Sequence, residues 1–304
     1  MENESNNKFI SSRGIMKLCD YHTLTPISSI NYIYNYPDFN NFINKFKDSS
    51  KIPLIYMCSS CLLHFEIAML PHIPFKFILI SGDCDEDMPN DIFKTSESLN
   101  NFINNNKIVH WFCQNWIGSH DKVTLMPIGM DYHTMQTRNI FWGPRTNSND
   151  QELLLNKIRE KIKPFWDREI KCYSNFHFAT TTKHGYDRID AIENIPKDLV
   201  YYEPTQLKRL LSWNKQINYT FVISPHGGGY DCHRMWEALL LGCIVIVKTS
   251  KIDNLYDDLP VLIVNEWKDI NKNLLNKTVY EFKNKKFNYE KLELNHWKDI
   301  FYNI

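Results

Sequence analysis

Short, nearly unbroken apolar runs alternate with helix-like segments along this chain, and that alternation narrows its choice of fold more than any other feature. Residues 53–58 (PLIYMC), 75–81 (FKFILIS), 107–113 (KIVHWFC) and 123–128 (VTLMPI) are the first four such runs. A strand with one wet face alternates apolar and polar residues, whereas a strand covered on both faces stays apolar throughout. Segments 61–70 and 95–105 lie between the runs and read as helices, the second with Thr95 as its N-cap. Strands separated by helices in this order predict an α/β fold with parallel sheets.

Residues 141–150 (FWGPRTNSND) are rich in turn formers and carry no apolar period, which places a domain boundary there. Beyond it, 151–163 reads as a charged helix, 171–178 (KCYSNFHF) and 219–224 as strands, and 231–241 as a helix. Strands at 244–247 and 261–264 follow, and 289–302 reads as helical. The expected organisation is a Rossmann-like domain over 1–145, a second over 146–285, and a C-terminal helical segment over 286–304 that packs back on the first. A chain of 304 residues has room for two domains of about 150 residues each. Ligands of such sheets bind beyond the carboxyl ends of the strands, so chemistry is expected in the cleft between the domains.

Lys and Arg total 35, as do Asp and Glu. That balance lacks the basic excess of a nucleic-acid-binding surface. The polar start, MENESNNKFISSRG, has no apolar signal-peptide core. The longest apolar run, 238–247, is too short to span a bilayer and contains Gly242. A cytoplasmic location without membrane insertion is expected, with the eight scattered cysteines reduced.

Residues 224–247 (SPHGGGYDCHRMWEALLLGCIVIV) set three glycines between a strand and a helix. HGGG is the oxyanion-hole turn of many esterases, but those enzymes need a G-x-S-x-G nucleophile elbow downstream. None occurs, so a carboxylesterase is the weaker alternative. The dinucleotide fingerprint G-x-G-x-x-G and the P-loop pattern G-x-x-x-x-G-K-S/T are missing too. What remains is a glycine loop that a ligand can approach closely, with positive φ open to it. It leads into a helix whose first N–H groups suit an anionic oxygen such as phosphate. At about 100° per residue, Cys232, Met235, Trp236, Leu239 and Leu240 share one arc of that helix. Asp231, His233, Arg234 and Glu237 take the opposite arc, either as a solvated face or as a cleft edge. The buried strands on both sides favour the cleft edge.

Ser224-Pro225-His226-Gly227-Gly228-Gly229, then Asp231-Cys232-His233-Arg234-x-Trp236-Glu237-Ala238-Leu239, then Gly242-Cys243-Ile244-x-Ile246-Val247, resemble the donor-binding segment of exostosin-like glycosyltransferases. The resemblance implies the GT-B architecture, two Rossmann-like domains facing a cleft. The second domain would hold a nucleotide-diphosphate sugar, a UDP-sugar by preference, and the first a glycan acceptor. Ser224, His226 and the amides of Gly227, Gly228 and Gly229 would then receive the diphosphate, with His226 standing where relatives often have Arg. Arg234 would neutralise the departing diphosphate with its planar fork, and Glu237 would accept from the ribose hydroxyls. Val245 replaces the second Glu of the E-x7-E pattern, so that pattern gives no support for a retaining outcome. No cofactor beyond the donor is implied, and no metal. A glycan- or nucleotide-binding protein on the same fold without catalysis is the other alternative.

Lys183 and Arg188 follow the strand at 171–178 and are further diphosphate candidates by the same sheet-edge argument. Asp83-Cys84-Asp85 has the D-x-D form that binds manganese in the other sugar-transfer fold. The donor-type segment lies too far downstream for that fold. Asp83 therefore reads as a base for the acceptor hydroxyl or as part of a solvated acidic turn. Asp131 and His133, after the turn at Gly129, are the other base candidates. Cys58-Ser59-Ser60-Cys61 reads as two buried thiols rather than a redox or zinc motif.

Overall fold

The computed structural model describes residues 4–26, 37–137, 142–176 and 180–304. Helix α1 (Ser12–Leu18) starts where Ser11 Oγ accepts the Gly14 N–H at 2.9 Å. Helix α2 (Pro37–Phe46) spaces Phe39, Phe42 and Phe46 along one face, where they meet Tyr21 and Phe75. Strands β1 (Leu54–Cys58), β2 (Phe77–Gly82), β3 (Ile108–Gln114) and β4 (Val123–Met126) then form a parallel sheet in that order. Every residue of β1 and β2 is buried, as unbroken apolar runs require. Between the strands run α3 (Leu62–Ala68) and α4 (Ser96–Ile103), the latter capped by Thr95 Oγ1 on the Ser98 N–H at 3.1 Å. Short α5 (His133–Thr137) follows β4.

Helix α6 (Ser148–Arg159) opens the second half, three residues earlier than its charge pattern predicts. Asn147 Oδ1 accepts the Asp150 N–H at 2.7 Å and sets that start. Strands β5 (Glu169–Ser174), β6 (Val200–Tyr202), β7 (Tyr219–Ile223), β8 (Ile244–Lys248) and β9 (Val261–Val264) pair in parallel in the order β6-β5-β7-β8-β9. Helices α7 (Tyr186–Asn194), α8 (Arg209–Gln216), α9 (His233–Leu240) and α10 (Lys272–Lys283) connect and cover them. The strand expected over 171–178 stops at Ser174; residues 177 and 178, like 141 of the expected boundary, lie outside the described residues. The helix expected over 61–70 is trimmed to α3 between two 3-10 turns, the second holding Pro71.

The second sheet alternates strictly between its faces. Phe221, Ile223, Ile244 and Ile246 join one apolar cluster with Trp267, Leu275 and Val279. Val222, Val245 and Val247 point the other way, into a cluster with Met235, Trp236, Leu239 and Leu240 of α9. That second cluster continues without a break into the first sheet. The two halves are thus joined by apolar packing, which restrains hinge motion between them. The end of the chain adds to the join. Helix α11 (Leu294–Tyr302) sets Phe301 4.7 Å from Phe112 of β3, and its Leu294 N–H donates to Lys8 O at 2.8 Å. Residues 289–292 form a 3-10 turn rather than the first turn of that helix. Among the described residues, no helix is long and apolar enough to cross a membrane.

Candidate functional site

The carboxyl ends of both sheets face one cavity of about 250 Å³. From the first sheet, Asp85 comes from the turn after β2, and Ile128 and Asp131 from the turn after β4. From the second, Asn175 follows β5, while Gly228 and Gly229 follow β7. His233, Arg234 and Glu237 enter on α9, Arg188 on α7, and Arg209 and Ser212 on α8. The polar arc of α9 therefore borders a cleft and not solvent. Trp142, Asn175 and Ser212 are shared with a second, narrower pocket that runs on to Phe176, Tyr202 and Glu203.

Two guanidiniums in this wall differ in how they are compensated. Arg209 is buried and paired: its Nη2 lies 2.7 Å from Asp131 Oδ2, its Nη1 also donates to Asp131 O, and Glu237 is 3.7 Å away. Glu237 further accepts the indole N–H of Trp213 at 2.9 Å. Arg234 donates instead to neutral oxygens, Ser224 Oγ at 3.5 Å and Pro225 O at 3.4 Å, and stacks over the Phe176 ring. Burial pulls its pKa down to about 10, so it stays charged at neutral pH. Glu237 is the carboxylate that opposes that shift.

The glycine loop does less than its sequence suggests. The His226 N–H donates to Asp187 Oδ2 at 2.8 Å, and the Gly227 N–H to Gly229 O at 3.1 Å. These two amides are spent, which leaves Gly228 and Gly229 as the loop's donors among the described residues. None of the three glycines adopts positive φ; Gly228 and Gly229 are needed for close approach instead. A Cβ on Gly228 would collide with the Asp85 carboxylate, and one on Gly229 would lie 2.5 Å from Asn115 Nδ2. Asp85, an anion, thus covers the loop where a phosphate oxygen was expected. Burial raises its pKa, with Glu86 and Asp83 adding to the rise and His233 and Arg188 opposing it.

Several expected site residues lie elsewhere. Asp83 accepts a hydrogen bond from Ser12 Oγ at 3.0 Å and approaches Arg13, and it is not among the residues that line the cavity. Its φ of 55° lies in the left-handed region. Lys183 is already neutralised by Asp87 at 2.7 Å and by Asp91, across the join between the halves. Ser224, His226 and Gly227 are not among the residues that line the cavity, and the His226 ring lies 5.1 Å from that of Tyr230 and 6.4 Å from that of His184. Asp131 lines the cavity, but it is a poor proton acceptor. Burial would raise its pKa, yet Arg209, His133 and His233 outweigh burial and hold it far below the usual carboxylate range. His133 is 3.2 Å from Asp131, and burial pushes its imidazole toward the neutral form against that carboxylate.

Asn115, Arg209 and Ser212 were missed by motif reading, while Asp231 lines the cavity as its place on the polar arc predicts. Asp231 ties the halves together: Oδ2 accepts the Ile128 N–H at 2.8 Å and the Trp236 indole N–H at 3.0 Å, and its own N–H donates to Asn115 Oδ1 at 3.1 Å. Burial pushes the Asp231 carboxyl up to about 6, against those donors. A raised folded pKa means that ionisation costs stability. The favourable contribution is complete below the unfolded value of 3.8 and is lost as pH rises through about 6. Asp231→Asn is therefore expected to flatten the urea midpoint against pH between those two values. An unchanged slope would assign that pH dependence to another group.

The cysteines give no site by pairing. Among the described residues all eight are free, and Cys58 and Cys61 are buried. Compared with known proteins, the sequence matches no protein-family model and no curated protein.

Proposed function

We propose that the chain is a glycosyltransferase of GT-B architecture that moves a sugar from a nucleotide-diphosphate sugar, a UDP-sugar by preference, to a hydroxyl of a glycan. The observation that carries the reading is Arg234, a guanidinium held by neutral oxygens in a cavity wall where the carboxyl ends of two parallel sheets meet. Arg188 and the amides of Gly228 and Gly229 border the same space, and together they suit two linked phosphates. Stabilising the departing diphosphate there would supply the main electrostatic catalysis. The second sheet then carries the donor and the first the acceptor.

Asp85 is the proton acceptor on this reading, in place of Asp83. It lines the cavity from the acceptor side, and its raised pKa makes it a stronger base than an ordinary carboxylate. Its contact with Gly228 gives it a second effect, because an ionised Asp85 repels the phosphates it must make room for. Asp85→Asn is expected to tighten nucleoside diphosphate binding and, by removing the base, to slow transfer by about 10²- to 10⁴-fold. Weaker binding together with normal transfer would remove Asp85 from both roles.

The direct test is turnover. The protein is incubated with UDP- and GDP-sugars, with and without oligosaccharide acceptors, and release of nucleoside diphosphate is measured. Acceptor-stimulated release supports transfer. Tight binding with no release from any donor favours the second reading, a nucleotide- or glycan-binding protein on this fold. The Asp85 carboxylate over the loop and the two spent amides are the observations that favour it.

A further inference from the structure

His133 opens α5 at the edge of the first sheet, and His233 opens α9 at the edge of the second. Their rings meet with centroids 5.6 Å apart, beside the carboxylate of Asp131. One ligand atom from each of the three lies within 4.8 Å of the others. We propose that Asp131, His133 and His233 form a binding site for a divalent transition-metal cation at the edge of the cavity. The resemblance in sequence implies no metal, and none of the three residues belongs to the D-x-D stretch at 83–85, so this site stands apart from both. It does not rest on the sugar-transfer reading.

The geometry around the three residues fits a metal better than a bare hydrogen-bond network. His233 Nδ1 lies 2.7 Å from Gly129 O. A carbonyl only accepts, so Nδ1 carries the proton and the lone pair is on Nε2. A second hydrogen bond that fixes the tautomer in this way is the usual support of a metal-binding imidazole. Arg209 plays the same part for Asp131. It holds Oδ2 at 2.7 Å, while Oδ1 accepts the Thr134 N–H at 3.0 Å and lies 3.2 Å from His133 Nδ1 with a second lone pair to offer. Closing from the present spacing to metal–ligand bonds of about 2.0–2.2 Å needs a modest contraction of the three side chains. Two imidazoles with one carboxylate favour zinc, cobalt or ferrous iron over calcium or magnesium, which prefer oxygen. Asp131 and His233 also line the cavity, so the coordination positions left over open toward it. The Arg209 charge opposes a cation, which sets the expected affinity nearer micromolar than the far tighter range of closed zinc sites.

The test uses the metal alone. The chain is stripped with chelator, dialysed and titrated with Co²⁺ or Zn²⁺, followed by visible absorption and calorimetry. Saturable binding with cobalt bands of a low-coordinate nitrogen–oxygen site is expected. His133→Ala and His233→Ala should each weaken binding by at least about 100-fold, whereas exposed His64→Ala should leave it unchanged. A readout without variants covers loss of fold: Zn²⁺ should shift the side-chain nitrogens of His133 and His233 in long-range proton–nitrogen spectra. No binding up to millimolar Co²⁺, wild-type affinity in both histidine variants, or zinc shifts confined to other histidines would overturn the site. These results are independent of any sugar-transfer assay.

Discussion

Arg234→Ala is expected to lose nucleoside diphosphate binding and to lower transfer by about 10²- to 10³-fold, the range seen when one preorganised charge stabiliser is removed. The fold should survive the change. The Arg234 hydrogen bonds to Ser224 Oγ and Pro225 O are long, at 3.5 and 3.4 Å. Burial already pulls its pKa down, so the charge is held at some cost in the absence of an anion. A thermal melt without nucleotide should therefore be close to wild type or slightly higher. The informative readout is the ligand-dependent rise in melting temperature. Wild type should gain several degrees at saturating UDP or GDP by mass action, and the variant almost none. Arg234→Lys should recover only part of this, because a point charge lacks the planar fork. Equal ligand-dependent shifts in wild type and Arg234→Ala would take Arg234 out of the binding site.

Arg209→Met is expected to act on stability instead. Arg209 compensates two buried carboxylates, Asp131 at 2.7 Å and Glu237 at 3.7 Å. Removing one partner of such a group leaves an uncompensated buried charge and costs about 3–5 kcal/mol. The matching variant, Arg209→Met with Asp131→Asn, should recover part of the loss because one orphaned charge is gone. The pH profile gives a second readout. Asp131 has a depressed folded pKa, so its contribution to stability is present above the unfolded value of 3.8 and is lost as pH falls below it. In Arg209→Met this acid-limb loss should shrink. Urea midpoints between pH 3 and 7 measure both effects. A variant as stable as wild type, with the same acid limb, would mean that solvent already screens the pair.

The parallel sheets were legible because their strands are apolar at nearly every position, and such runs have few other uses in a chain of this composition. Helix α9 was legible for a related reason: its apolar arc predicts Met235, Trp236, Leu239 and Leu240 in the core, where they are found. The three-residue strand β6 carries too short a signal to be told from a loop. The candidate site was legible only where it is contiguous. Arg234, Glu237, Gly228 and Gly229 lie within ten residues of one another, but Arg209 comes from α8 and Asn115 from beyond β3. Nothing in the residues around Arg209 marks it as the partner of Asp131, 78 positions away. Backbone conformation decided the rest. Asp83 and Asn115 both have positive φ, at 55° and 53°, and each redirects its turn. Asp85, and not Asp83, is the carboxylate that meets Gly228. A one-dimensional motif fixes the order of side chains but not the side on which a left-handed residue places them.

The central claim is that this cavity receives two linked phosphates against Arg234. A crystal structure of the chain soaked with UDP or GDP tests it most directly. The account predicts diphosphate oxygens within hydrogen-bonding distance of the Arg234 guanidinium and the Gly228 and Gly229 amides, with the Asp85 carboxylate moved off the loop. A cavity still empty at saturating nucleotide, with Asp85 seated on Gly228 as before, would contradict it.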